Sequence, residues 1–134
     1  MALLVPNVGE VLALKNFLNH TAPENQKLDL YTGNVTPAET DTHASYTAAT
    51  SGGYSQAALT GTSWVVTAGA PSDAAYAQQT FTFTGAPSVT SMYGYFVTQT
   101  TSGILMWAER FSAGPYAMTQ NGDNIKITPR ITAD

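Results

Sequence analysis

The chain of 134 residues contains no cysteine. That absence excludes disulfide bonds, thiol nucleophiles and cysteine-ligated zinc sites, and it leaves the redox compartment open. Charge is also scarce, because Asp, Glu, Lys and Arg make up 10% of the residues, whereas roughly 25% is usual in globular proteins. A surface of Thr, Ser, Asn, Gln and Ala suits a protein that packs among other proteins, and a small β domain with few long side chains has the same composition.

Positive charge is scarcer than negative charge: five Lys and Arg residues are scattered along the chain, and the formal net charge is −4. Binding to nucleic-acid phosphates or to anionic lipid needs clustered Lys and Arg. We therefore predict no nucleic-acid partner and no membrane partner. The chain also lacks a run of ~18 apolar residues, and no basic residue precedes its first apolar run, as a secretory signal requires. We expect a soluble protein made in a cytoplasm.

Residues that would indicate catalysis are missing as well. His20 and His43 are the only imidazole bases, and no Gly-x-Ser-x-Gly elbow accompanies them, so two surface histidines are favoured over a catalytic triad. Asn121–Asn124 and the pair Asp41 and His43 each offer too few ligands for a calcium or zinc site. We predict no enzyme activity, no catalytic residue, no metal and no cofactor.

Glu109 needs a specific explanation because it lies in the apolar run from Leu105 to Phe111. A glycosidase would need a second carboxylate facing it. Adjacent strand residues point to opposite faces, so Arg110 is not its natural partner. The favoured interpretation is structural, in which backbone amides, a tyrosine or Lys126 across a sheet satisfies the carboxylate.

The only helical pattern lies over residues 7–19. Asn7 and Glu10 have the spacing of a capping box, and Pro23 closes the segment. The spacing predicts a short amphipathic helix that follows an apolar arm, and arm and helix together span about residues 1–22. The apolar positions at helical spacing are Val8, Val11, Leu12, Leu14, Phe17 and Leu18.

From Lys27 onward, short strand-like segments alternate with Gly, Pro, Ser and Asn. The cleanest alternation places Phe81 and Phe83 on one face, and the run from Ile104 to Phe111, apolar on both faces, predicts a central strand. About eight or nine strands at this spacing predict an all-β, jelly-roll-like sandwich in one domain, residues 1–134. The predicted core aromatics are Trp64, Phe81, Phe83 and Trp107.

Asn121 and Gly122 form the strongest hairpin signal in the chain. They predict that Tyr116–Thr119 pairs with a last strand, Asn124–Ile131. On that strand Ile125, Ile127 and Ile131 would share one face.

The Tyr and Trp residues leave two interpretations open. Flat rings with polar edges suit carbohydrate faces, so they could form a sugar-stacking platform, although filling and rimming the core is favoured. The residues concerned are Tyr31, Tyr46, Tyr54, Tyr76, Tyr93, Tyr95, Tyr116, Trp64 and Trp107.

Seven short motifs along nearly the whole chain carry a family resemblance. They are Leu4–Glu10 (LVPNVGE), Thr36–Thr40 (TPAET), Trp64–Thr67 (WVVT), Tyr76–Phe83 (YAQQTFTF), Tyr93–Val97 (YGYFV), Trp107–Phe111 (WAERF) and Gly122–Pro129 (GDNIKITP). Their order resembles that of small virion structural proteins of tailed bacteriophages, and most closely the head decoration, or cement, proteins.

The resemblance implies a non-enzymatic β-sandwich protein that oligomerises on the outer capsid surface and bridges capsid subunits. The expected partners are the major capsid protein and sister copies, with a trimer ahead of a dimer, and the expected location is the virion, after synthesis in the host bacterial cytoplasm. A carbohydrate-binding or receptor-binding tail or baseplate module is the alternative. The arm, Leu3, Leu4 and Val5, hinged at Pro6, is expected to contact a neighbouring subunit or the capsid, unless it packs under its own sandwich.

Overall fold

The computed structural model describes residues 3–50, 52–84 and 90–133. In these ranges one α-helix precedes eleven strands, two 3₁₀ helices (His43–Ser45 and Gly61–Ser63) lie in the connections, and every strand pairing is antiparallel. The predicted all-β class with a single short N-terminal helix is thereby confirmed, while jelly-roll connectivity stays a prediction. The bounds are α1 Asn7–Phe17, β1 Gln26–Tyr31, β2 Ala57–Leu59, β3 Val65–Thr67, β4 Ser72–Ala75, β5 Gln79–Thr82, β6 Thr90–Met92, β7 Gly94–Gln99, β8 Leu105–Arg110, β9 Tyr116–Met118, β10 Asn124–Ile127 and β11 Arg130–Ala133.

The largest sheet has four strands in the order β2–β1–β7–β8. β7 is buried along its full length, because it lies between β1 and β8 and both faces of the sheet are covered. Leu28 and Leu30 contribute to the main core, whereas Tyr31 and Phe96 contribute to a second apolar cluster. Successive residues of β1 therefore lie on opposite faces of the sheet, and each face packs against a different apolar cluster.

β8 is an edge strand of this sheet, so the prediction of a central strand was wrong. Leu105 and Ala108 belong to the second cluster and Trp107 to the main core, which explains an apolar sequence on both faces. The outer edge pairs with the N-terminal arm: the Leu4 amide donates to the Ala108 carbonyl and the Ala108 amide to the Leu4 carbonyl, both at 3.0 Å. An apolar sequence on both faces of a strand indicates that both faces are buried, but it does not indicate whether the strand is central or at the edge of its sheet.

Three smaller sheets complete the described fold, in the orders β5–β10, β3–β4–β11 and β6–β9. Phe81 and Phe83 are buried in the main core, as is Trp107. Trp64 is half-buried and packs edge-on against Trp107, with ring centroids 6.2 Å apart. All four aromatics named from the sequence therefore lie in or against one core.

The turn at Asn121 and Gly122 forms, but the strands beside it do not pair with each other. β9 pairs with β6 and β10 pairs with β5, so the predicted hairpin was wrong. The predicted last strand is also divided into β10 and β11 near Pro129, which has no amide to donate. Turn chemistry fixes a local reversal, with Gly122 at a φ of 94°, whereas the pairing follows from burying Ile125 opposite Phe81.

α1 begins and ends differently from the sequence prediction. Pro6, and not Asn7, occupies the N-cap, and no side chain caps the helix, so the predicted capping box was wrong. The helix ends at Phe17, before the predicted residue 19, because Asn19 adopts a left-handed conformation with a φ of 55°. Asparagine tolerates that conformation and commonly ends helices in this way.

Candidate interaction surface

α1 packs on β8 through the side of the helix that carries Gly9. Gly9 and Leu12 are buried and Asn16 is half-buried. A Cβ atom added at Gly9 would overlap the backbone carbonyl oxygen of Met106. The helix backbone therefore lies directly against the edge strand, and only glycine fits at the contact.

The opposite side of the helix is apolar and exposed. Phe17 is 86% exposed, Leu18 71% and Leu14 62%, although burial of such side chains stabilises a protein by about 1.5–3 kcal/mol each. The predicted short helix thus exists, but it is apolar on more than one side: Leu12 is buried in the core, whereas the other large apolar residues are exposed. We call this surface the α1 apolar face, and its members are Val8, Val11, Leu14, Phe17 and Leu18.

An open, mainly apolar groove borders this face. It runs between the first turns of α1, the segment Thr42–Ala44 and the segment Gly103–Leu105, which leads into β8. The amide of Asn7 donates to the Glu39 carbonyl at 2.9 Å, which ties the start of the helix to the segment just before Thr42. The groove contains Val8 and Val11 of the α1 apolar face and reaches Leu105, a member of the second apolar cluster.

A second exposed apolar surface lies on β3. Val65 is 67% exposed and Val66 74%. Within the described residues β3 pairs only with β4, so its other side is a free sheet edge. Exposed edges with apolar side chains favour association with other chains.

The arm packs partly against the sandwich of its own chain. Leu3 and Val5 are half-buried against the main core, and Leu4 forms the bridge to Ala108. The alternative weighed from the sequence, packing against its own sandwich, accounts for these contacts. A further contact between the arm and a neighbouring subunit stays a prediction.

The sequence indicates that α1 carries apolar residues on more than one side, although the number of apolar residues alone does not show this. At 100° per residue, Leu12 points to one side while Leu14 and Leu18 point to the other. A helix that is apolar on several sides cannot bury all of them against one sheet. Assigning each apolar position to a side would have shown that some apolar side chains stay exposed, but not which side of the helix meets the sheet.

Glu109 has the tyrosine partner that the structural interpretation allowed. The hydroxyl of Tyr95, directly across the sheet, donates to Glu109 Oε2 at 2.6 Å. Burial raises the pKa of Tyr95, and the bond to the carboxylate adds to this shift. Arg110 lies elsewhere, with its guanidinium bonded to Asn34 and to the Val35 carbonyl.

A pocket opens beside this pair. Phe111 and Tyr116 form one wall, with ring centroids 5.2 Å apart, and Asn124 and Lys126 add polar groups. Tyr116 is 41% exposed. Aromatic faces beside amide, ammonium and carboxylate groups can stack against and hydrogen-bond a sugar.

Two other acidic groups named from the sequence, Asp41 and Asp123, accept hydrogen bonds from backbone amides. Asp41 Oδ2 accepts the Tyr46 hydroxyl at 2.8 Å and the Ala38 amide at 2.9 Å. Asp123 Oδ2 accepts the amides of Thr119 and Gln120, and these bonds lower its pKa. His20 and His43 are both exposed.

The described residues lack two features that would indicate other functions. They contain no group of three or more His, Cys, Asp or Glu side chains placed to hold a metal ion. No helix among them has the length and apolar character needed to cross a membrane. Comparison of the chain with protein-family models and with curated proteins gave no match.

Proposed function

We propose that the protein is a non-enzymatic virion structural protein, a head decoration protein that binds the major capsid protein and sister copies on the outside of a phage head. The exposed α1 apolar face is the observation that carries this function. A protein whose role is adhesion needs such surfaces, and four large apolar side chains of α1, with Leu18 at its end, are exposed on one side of the helix, as at protein interaction sites.

Two further properties support the same role. The surface carries few charges, so it repels other proteins weakly. The α1 apolar face and the β3 edge belong to different elements of the fold, and a bridging protein needs at least two contact surfaces. The sequence resemblance to phage decoration proteins supplies the identity of the partner.

The test uses heads of the encoding phage that were produced without this protein. Added protein should bind in a fixed ratio to the major capsid protein and raise the temperature at which heads release DNA. Leu14→Lys with Phe17→Lys should lower occupancy at least tenfold, since lysine near a helix C-terminus preserves the helix. Ser55→Lys with Gln56→Lys, at exposed loop positions, is the matched control.

Absence of binding by the unmodified protein would overturn the proposed function. Binding that both double variants retain equally would show that the α1 apolar face is not the contact.

The pocket beside Tyr95 and Glu109 favours one second candidate, a carbohydrate-binding module of the virion. A glycan array would detect binding, and Tyr116→Ala should abolish it because the exposed ring is lost. Tyr76→Ala, a ring outside the pocket, is the control. No glycan bound by the unmodified protein would exclude this candidate.

A further inference from the structure

The α1 apolar face has the spacing of a coiled-coil seam. In heptad notation Val11 occupies position a, Leu14 position d and Leu18 the next a, which are the apolar positions of a seam. Gly9, Leu12 and Asn16 then occupy f, b and f, on the far side of the helix, which is buried or half-buried and meets β8 at Gly9. The fold therefore uses the back of the helix and leaves the seam exposed.

The two charged residues of α1 flank this seam on opposite sides. Glu10 occupies position g and Lys15 position e, and both are exposed. Neither forms an ion pair within the described part of the chain. They are therefore free to contact another molecule.

These charges distinguish between two orientations of a partner helix. When two such helices are parallel, the g side of one faces the e side of the other, so Glu10 lies near Lys15 of the neighbour. When they are antiparallel, g faces g and e faces e, which brings no opposite charges together. Charge complementarity thus favours a parallel copy of the same helix.

The width of the face indicates how many copies meet. Phe17, at g, and Val8, at e, extend the apolar surface over about half of the helix circumference, at 100° per residue. A helix with one partner needs only the narrow a and d stripe, whereas a helix in a ring of three contacts two neighbours. Parallel helices around a rotation axis form a closed assembly.

We infer that three copies of this chain associate through the α1 apolar face, with their helices parallel around a rotation axis. This inference rests on the proposed assembly role of that face, but it does not require a capsid. An isolated helix of this length would be too short to be stable, and its docking on β8 supplies the order that association needs.

The first experiment measures mass by sedimentation equilibrium on the purified, unmodified protein up to roughly 100 µM. We expect a trimer of the 14.2 kDa chain. Glu10→Lys or Lys15→Glu alone should weaken association roughly tenfold or more, because each places like charges across every helix contact. The double variant should recover most of that loss.

The double variant separates this assembly from an effect on the helix itself. Both changes oppose the helix dipole, so a purely structural role would make the double variant worse than either single one. Circular dichroism of each variant checks that α1 is retained. Failure of the double variant to recover would overturn the parallel arrangement.

Cysteine substitution gives an independent readout because the chain has none. In the parallel assembly Leu14→Cys places equivalent thiols beside the axis, and oxidised glutathione should join two chains by a disulfide, releasing reduced glutathione. Gln56→Cys, in an exposed loop, is the control and should give no such product. Equal cross-linking of the two variants would contradict the inference.

The outcomes for assembly and for function are distinguishable. A protein that stays monomeric alone but binds heads through α1 would overturn the inference and leave the proposed function standing, with the capsid as the occupant of this face. A trimer that binds no heads would do the reverse.

Discussion

Asp29 is a carboxylate inside the central sheet, where it is 5% exposed. Its Oδ1 atom accepts the Tyr54 hydroxyl at 3.1 Å, and that hydroxyl accepts the amide of Leu30 at 2.8 Å. Burial raises the pKa of Asp29 above its ordinary value of 3.8, and the opposing effects of Tyr54 and Lys27 do not cancel the shift. The folded protein therefore holds this proton more tightly than the unfolded chain does.

Stability from a raised pKa is present below the unfolded pKa and is lost as the pH rises through the folded pKa. We expect Asp29→Asn to raise the melting temperature at about pH 7, because the amide oxygen still accepts the Tyr54 hydroxyl and no charge is buried. At about pH 3 the difference should shrink, since the native carboxyl is protonated. Melting curves at both pH values test this, and an equal gain at both would contradict it.

The Tyr95 hydroxyl satisfies the half-buried Glu109 carboxylate. Tyr95→Phe should lower the free energy of unfolding by about 1–2 kcal/mol, because the carboxylate loses its donor while it stays partly desolvated. Urea unfolding measures the loss. Tyr116→Phe, which removes a hydroxyl from an exposed ring, serves as the control, and equal stability of the two variants would show that the bond contributes nothing.

At the scale of elements, the contact between α1 and β8 depends on Gly9. Alanine is the better helix former by about 1 kcal/mol, so helix propensity alone predicts that Gly9→Ala is stabilising. Because its Cβ would overlap the Met106 carbonyl, we expect instead a loss of about 1–3 kcal/mol. Thermal melting decides the sign, with Ala13→Ser on the exposed side of the helix as the control. A gain in stability would mean that the helix is not packed closely on β8.

The arm forms a single β-bridge, from Leu4 to Ala108, on the outer edge of β8. Removing residues 1–5 deletes the two Leu4 to Ala108 hydrogen bonds and the half-buried Leu3 and Val5. We expect a loss of about 2–4 kcal/mol, roughly half of what full burial of three such side chains would give. Melting temperature measures this loss, and the mass of the truncated protein shows whether the arm also joins copies. An unchanged melting temperature would contradict the contribution of the arm to its own sheet.

Local pattern predicted the elements better than their partners. The alternation around Phe81 and Phe83 correctly indicated a strand with one buried face, and the spacing at residues 7–19 located the helix. The edge position of β8 was not predictable in the same way, because the residue that pairs with Ala108 is Leu4, far away in the sequence.

At the scale of the whole molecule, the candidate surface was as hard to predict as the strand order. The sequence offered a tyrosine as one of three partners for Glu109, beside backbone amides and Lys126, because a partly buried carboxylate needs a donor, and the partner in the structure is Tyr95. It did not reveal that Leu14 and Phe17 face solvent, because that depends on which side of α1 meets β8. Apolar residues intended for a partner look the same in a sequence as those intended for the core.

The order of strands in the central sheet also determines when the protein can fold during synthesis. β1 pairs with β7, so Asp29 lies opposite Phe96, and the arm at Leu4 closes the edge against Ala108. A ribosome therefore has to release most of the chain before the first sheet can be completed. Until then Leu28, Leu30 and the α1 apolar face are exposed together on the nascent chain. Because such distant contacts form slowly, the exposed α1 apolar face is a hazard for aggregation before the fold closes.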